Sequence, residues 1–446
     1  MPNPYLPLHE YIPDGEPRVF GERVYIYGSH DRAGSDVFCD FKLKVWSAPV
    51  HNLNNWVCHG DAFHTAPDRD HLSDTNWTDG KKNYLFAPDV VEKDGKYYLY
   101  AYIMDARGCV AVSDKPEGPF KLISQYKYNI PEGRDEKYCN NGWFIDPGVL
   151  VDDDGRVYIY CGFEKSFMAE LNANNMVEVI DGTYADDIIP VLPPHRFFEA
   201  CSPRKIGDVY YMIYSPVPGS RLVYATSKSP RGPFEYRGII IDNDENYPGG
   251  NNHGGVCKIG EQWYIFYHRM TNGTIMSRRA CAERIEILAD GSIPQVEMTS
   301  LGFEESLNPY KITPAEIACY LTGGALITEK NVFERYITNI KSGAVIGYKY
   351  FDFGEDFSSR TMEFLVDIKG TGCKAEINII LDDAQNGVNI GSVEIGMNDG
   401  QYSAAVTSVT GRHAVFFVIK DRFGGWFKEM FDGRNLFELI SFVFVK

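Results

Sequence analysis

One phrase recurs along this chain: an acid or a histidine, a short apolar run, a glycine turn, and a strand ending in tyrosines. Clear copies run from Asp14 to Tyr27, Asp89 to Tyr100, Asp146 to Tyr160 and Glu199 to Tyr214, with a looser copy from His253 to Tyr267. Their leading residues are 75, 57, 53 and 54 positions apart. A period near 50 residues means that one supersecondary unit is stacked radially or linearly. Each unit opens on a residue that can titrate or ligate, so a radial arrangement would gather those residues at one place.

The units read as strands. Tyr97-Tyr98-Leu99-Tyr100, Val157-Tyr158-Ile159-Tyr160 and Trp263-Tyr264-Ile265-Phe266-Tyr267 are β-branched or aromatic runs, and Asp94-Gly95 and Asp154-Gly155 are hairpin turns. A second repeat keeps phase with the first: Pro116-Glu-Gly-Pro-Phe120 and Pro230-Arg-Gly-Pro-Phe234 begin 114 residues apart, about two units. An inner hairpin followed by an outer strand and this turn is the order of a four-stranded propeller blade. The expected fold is all-β. A five-bladed β-propeller would span residues 1–305. After a connector from Met298 to Pro309, a jelly-roll-like β-sandwich would span 310–446, where strand runs such as Thr361 to Asp367 and His413 to Ile419 change spacing.

Composition narrows the partners. The net charge of −17 argues against nucleic acid and anionic membrane surfaces. No run reaches 18 apolar residues, and the first residues carry neither a basic start nor an apolar core, so a cytoplasmic protein is expected. None of the ten cysteines forms a C-x-x-C pair, which disfavours thiolate zinc and fits buried free thiols in a reducing compartment. Aromatic residues make up 14% of the chain, enough for strand cores and for stacking faces on a sugar. A small-molecule sugar or oligosaccharide is the expected partner. Nothing in the pattern speaks to oligomeric state.

Asp14, Asp146, Glu199 and His253 open inner strands and would share one mouth of the channel. Taken singly, Asp14 before Gly15 suits a turn, Asp146-Pro147 suits a strand start, and His253 suits a satisfied hydrogen-bonder. Glu199 is less ordinary, because Phe197, Phe198, Ala200 and Cys201 flank it. Crowded, desolvated carboxylates push one pKa up and leave others ionised. Inverting glycoside cleavage needs that division: a protonated acid for the leaving oxygen and an ionised base for water. Asp89 is expected near the mouth, satisfying backbone donors and within reach of substrate. Trp77, Trp143 and Phe198 are candidate platforms for a pentose ring.

The stretches Pro13 to Asp31, Ala87-Pro-Asp89-Val-Val, Phe144-Ile-Asp146-Pro147, Phe198-Glu199-Ala200 and Gly250-Asn-Asn-His253 together resemble glycoside hydrolase family 43, five-bladed propellers acting on arabinose- and xylose-containing polysaccharides. That resemblance implies Asp14 as general base, Glu199 as general acid and Asp146 as the residue that orients the acid and tunes its pKa. It implies no required cofactor, with His253 as an axial histidine that helps hold a structural calcium through water. Arg279 is expected to pair with substrate or base, with its neighbour Arg278 as the competing choice, since strand alternation lets only one face inward. The family's usual Ala-Asp-Pro is Pro13-Asp14-Gly15 here. The tail resembles a family 6 carbohydrate-binding module through Gly347 to Gly354, Gly411 to Lys420 and Phe442-Val-Phe444. The acidic start of such modules is replaced by Glu316-Ile-Ala-Cys-Tyr320 and a closing aspartate by Ser441, which weakens any calcium site there. An α-L-arabinofuranosidase or β-xylosidase, exo-acting and inverting, is the leading expectation. A retaining fructan-type enzyme, a non-catalytic sugar-binding propeller and a phosphorylase are the alternatives.

Overall fold

The computed structural model describes residues 2–65, 83–103, 107–126, 144–244, 247, 249–356, 359–423, 430 and 432–446. The aromatic strand runs pair with their neighbours in sequence through tight turns, which makes up-and-down antiparallel sheets. Blade 1 consists of Glu16–Phe20, Arg23–Tyr27, Lys42–Pro49 and Val57–His64, and blade 2 of Leu85–Lys93, Lys96–Ile103, Arg107–Ser113 and Lys121–Tyr126. Blade 3 consists of Gly148–Val151, Val157–Cys161, Phe167–Leu171 and Ala185–Asp186, and blade 4 of Phe197–Ile206, Val209–Pro216, Arg221–Ser227 and Glu235–Asp242. Blade 5 has three strands, Val256–Ile259, Gln262–Thr271 and Thr274–Ile285.

The first strands of the blades touch in cyclic order. Those of blades 1 and 2, 2 and 3, 3 and 4, and 5 and 1 pack together, while Arg204 of blade 4 donates to the Val256 carbonyl of blade 5 at 2.8 Å. Blade 5 is completed by the start of the chain. The Tyr5 amide donates to the Ala280 carbonyl at 3.2 Å, and the Asn3 side chain bonds both the amide and the carbonyl of Ala282, at 2.9 and 2.8 Å. The N-terminal segment thus lies along the outer strand of the last blade and closes the ring.

Inside the ring the floor of the channel is filled with charge. Arg18 forks onto Asp89 at 2.9 and 2.6 Å and also reaches the Val149 carbonyl. Arg204 pairs with Glu16 at 2.5 Å, Ser202 donates to Glu16, and the Val149 amide donates to Asp89 at 2.7 Å. Every inner strand contributes at least one group to this network.

Two further sheets follow. One runs Leu326–Asn331, Glu334–Thr338, Phe437–Val445, Thr361–Gly370 and Gly400–Thr407, with Thr313–Pro314 added to Phe437–Val445; the other runs Tyr320–Leu321, Val345–Asp352, Arg412–Asp421, Ala375–Leu381 and Val388–Ile395. Their inner faces interlock through aromatic pairs, Phe417 with Phe442 at 4.8 Å and Phe364 with Phe417 at 5.4 Å between ring centroids. The blade 5 hairpin rests on this sandwich: the Asn272 amide donates to the Ile327 carbonyl at 2.7 Å, and Arg279 meets Glu329 at 3.3 Å.

Candidate active site

Local backbone geometry aims the acids. Asp14 and Asp146 sit just before the inner strands of blades 1 and 3 with φ of 57° and 50°. This left-handed region is costly for most residues and tolerated by aspartate. Glu199 lies in a bulged stretch, where the pairing of Phe197–Ile206 with Val209–Pro216 shifts between Phe197 and Glu199 and again before Ser202. Such bulges re-aim side chains. Gly148 permits the approach of blade 3 to that bulge, because a Cβ there would fall 2.1 Å from the Cys201 carbonyl oxygen.

The three carboxylates line one cavity of about 750 Å³ together with His253 and Arg278. Its walls include Phe38, Phe86, Tyr102, Phe163 and Phe198, with Phe163 and Phe198 4.9 Å apart. Ile275, from the blade 5 hairpin, adds an apolar patch. Among the described residues these rings supply the aromatic surface; Trp77 and Trp143 lie outside the described residues.

The charges are unequal. Burial works against ionisation of Asp14, but Arg278 donates to it at 2.8 Å and its pKa is held below the usual carboxylate value. His253 and His268 also face Asp14, yet burial pushes their pKa values down to about 4 and about 3, so both are neutral near pH 7 and Arg278 is the compensating charge. Arg278 is itself clamped by Asp31 at 2.9 and 3.0 Å. Burial, then the charge of Asp14, raises Glu199 to about 7, against the opposing pull of an Asn251 hydrogen bond. Burial, Glu199 and Asp14 push Asp146 up as well. The result is an ionised carboxylate beside two acids that hold protons unusually well.

Two expectations are corrected. Arg279 is not at the mouth: its guanidinium lies 4.7 Å from the Tyr11 ring centroid, donates to the Tyr11 hydroxyl and pairs with Glu329 of the sandwich. It stands opposite Arg269 across the hairpin, on the face away from the cavity, and the neighbouring Arg278 takes the inward position. Asp89 does not line the cavity. It is 1% exposed, and its oxygens are taken by Arg18 and the Val149 amide, so a substrate has nothing to bind there. His253 is at the mouth, its Nδ1 3.5 Å from Asp146 and 3.8 Å from Asp14. Asn251 and His268 were not singled out from sequence. Asn251 stands beside His253 in a quoted motif, whereas nothing in the run Phe266-Tyr-His-Arg marks His268 as more than a core residue.

The family model for glycosyl hydrolases family 43 matches residues 8–293. The chain belongs to family 43, and is therefore a glycoside hydrolase. Among curated family 43 relatives, a xylosidase/arabinosidase of Thermoclostridium stercorarium is 38% identical, over 94% of this chain and 96% of that protein. A crystal structure of a family 43 β-xylosidase/α-arabinofuranosidase from a compost microbial metagenome, in complex with xylotriose and calcium-free, is 28% identical over 67% of this chain and 99% of its own, with a TM-score of 0.53. An arabinoxylan arabinofuranohydrolase from Bacillus subtilis shares the fold over 100% of this chain and 97% of its own, at 24% identity and a TM-score of 0.54.

Proposed function

We propose that this family 43 chain removes terminal xylosyl or arabinofuranosyl residues from hemicellulose oligosaccharides with inversion at the anomeric carbon. The observation that carries this reading is the unequal protonation of carboxylates from blades 1, 3 and 4 around one cavity. Asp14 acts as general base and takes a proton from water as its oxygen attacks the anomeric carbon. Glu199 acts as general acid and gives its proton to the glycosidic oxygen as that bond breaks. Asp146, itself holding its proton, orients Glu199, while burial and the charge of Asp14 keep Glu199 protonated. Arg278 keeps Asp14 ionised. The apolar face of a pentose packs on Phe198 and the other wall rings.

The sandwich, read as related to family 6 carbohydrate-binding modules, serves here as a buttress for the cavity wall. Support comes from its bond to Asn272, three residues from Ile275. An axial calcium would be held through water at His253, which stands beside Asp146 and Asp14 at the mouth; among the described residues no three His, Cys, Asp or Glu side chains group to ligate an ion directly. No step runs through a metal. A reducing, cytoplasmic setting is consistent with nine described cysteines that are free thiols, eight of them buried. No helix of the described residues is long and apolar enough to cross a membrane.

The test is the anomer first formed from p-nitrophenyl xyloside and arabinofuranoside, followed by proton NMR. Inverted product is expected, and retained product would overturn the assignment of Asp14 as a base. Glu199→Gln should lose turnover of oligosaccharides on the order of 10²–10⁴-fold while unfolding at an unchanged temperature.

A further inference from the structure

The base and the acid come from blades 1 and 4, which are not neighbours on the ring. Blade 5 stands between them. One of its side chains, His268 on the strand Gln262–Thr271, touches the attachments of both. Its Nδ1 accepts a hydrogen bond from the Asp14 amide at 3.3 Å, and its Nε2 lies 3.0 Å from the Asn251 carbonyl. The Asn251 side-chain amide in turn donates to Glu199.

The tautomer follows from the partners. A carbonyl can only accept, so Nε2 carries the hydrogen; a backbone amide can only donate, so Nδ1 carries the lone pair. A single neutral imidazole satisfies both bonds at once, and the low pKa of His268 agrees with that state. The ring is held from its own backbone too: its amide donates to Asn252 at 3.2 Å and its carbonyl accepts from Asn243 at 3.0 Å. His268 is 1% exposed and does not line the cavity, so it does not touch substrate.

We propose that His268 is a positioning residue that sets the general base and the general acid relative to each other, through the Asp14 amide on one side and Asn251 on the other. The inference rests on the roles given above to Asp14 and Glu199. It transfers no proton itself. Its contribution is geometric, and misplacement by about 1 Å is enough to cost on the order of 10²-fold in rate.

The two links can be cut separately. His268→Asn keeps an acceptor near the Asp14 amide but is too short to reach the Asn251 carbonyl. His268→Phe keeps the volume and loses both links. Each would be assayed on a xylobiose-type disaccharide, which needs the acid, and on a dinitrophenyl pentoside, whose leaving group does not. His268→Asn should lower kcat on the disaccharide by about 10–100-fold and leave the dinitrophenyl substrate nearly untouched. His268→Phe should lower both. Equal losses on both substrates for His268→Asn, or full activity in His268→Phe, would overturn the proposal. If His268→Phe does not fold, Asn251→Ala decides instead: a loss confined to the disaccharide supports the link, and an equal loss on both removes it. Glu199→Gln and Asp14→Asn run alongside. Should Glu199→Gln still cleave the disaccharide, the underlying acid assignment fails; should both controls be inactive while the His268 variants match wild type, only the link fails.

Discussion

The channel of this propeller holds two clusters of buried charge, one at its floor on the inner strands and one at its mouth, where Arg278 comes from the third strand of blade 5. At the floor, Arg18 and Arg204 face Glu16 and Asp89, and each charge meets an opposite charge at hydrogen-bond distance. At the mouth, Asp14, Asp146 and Glu199 share a single guanidinium, that of Arg278, which Asp31 also engages. Neutral His253 and His268 supply no charge to make up the difference. The balanced cluster has nothing left over for a ligand. The unbalanced one must retain protons, and a retained proton beside an ionised carboxylate is what hydrolysis of a glycoside uses. Balance distinguishes scaffold from chemistry here better than burial does, since both clusters are buried.

This contrast breaks if mutations at the two ends behave alike. Asp14→Asn should reduce kcat on the order of 10²–10⁴-fold with little change in urea unfolding. Arg18→Met should do the reverse. It strands Asp89 without its cation and leaves Glu16 to Arg204 alone, so unfolding in urea should show a loss of about 3–5 kcal/mol, while the folded fraction keeps its kcat. Full stability in Arg18→Met would mean that the floor cluster does not hold the blades together.

The pH profile sharpens the comparison with a smaller effect. Activity requires Glu199 protonated, so the rate should fall as pH rises through about 7. It should fall on the acid side only where Asp14 takes up a proton, below the usual carboxylate range. A rate that stays flat across neutrality would contradict the assignment of Glu199. Stability has its own dependence. The folded protein keeps His253 and His268 neutral, whereas the unfolded chain protonates them near the ordinary 6.5. Stability is therefore complete above that value and declines as pH falls below it, toward about 4 for His253 and about 3 for His268, which acid titration of the urea midpoint would register.

The smallest effect is expected at the sandwich. Glu329→Ala removes the partner of Arg279 near the hairpin that carries Ile275. A few-fold rise in KM with kcat unchanged would mark a lost contribution to binding rather than to the chemical step. An unchanged KM would show that the hairpin holds its place without this ion pair.

Much of this arrangement is written in the repeat. The phase of the leading residues places Asp14, Asp146, Glu199 and His253 at corresponding points of successive blades, because a strand that starts at the axis in one blade starts there in the next. The period therefore yields the ring and the carboxylates around it. Asp89 shares the same phase yet sits lower, paired with Arg18 on the next inner strand, and pairing between strands far apart in sequence leaves no trace in either segment. The choice between Arg278 and Arg279 had the same obstacle. Ser277, Arg278 and Arg279 are all buried, since one face of that strand meets the cavity and the other meets the sandwich. Alternation says that adjacent arginines part company, but not which way each turns.

By itself the sequence determined the class of fold, the number of blades and the acids around the mouth, because those follow from local strand pattern repeated in register. Tertiary structure alone decided which charges cancel, which arginine faces Asp14, and how His268 and Asn251 join blades 1 and 4. Those outcomes depend on distances between segments up to 264 residues apart, as in the pair Arg278 and Asp14, and such distances exist only once the ring has closed.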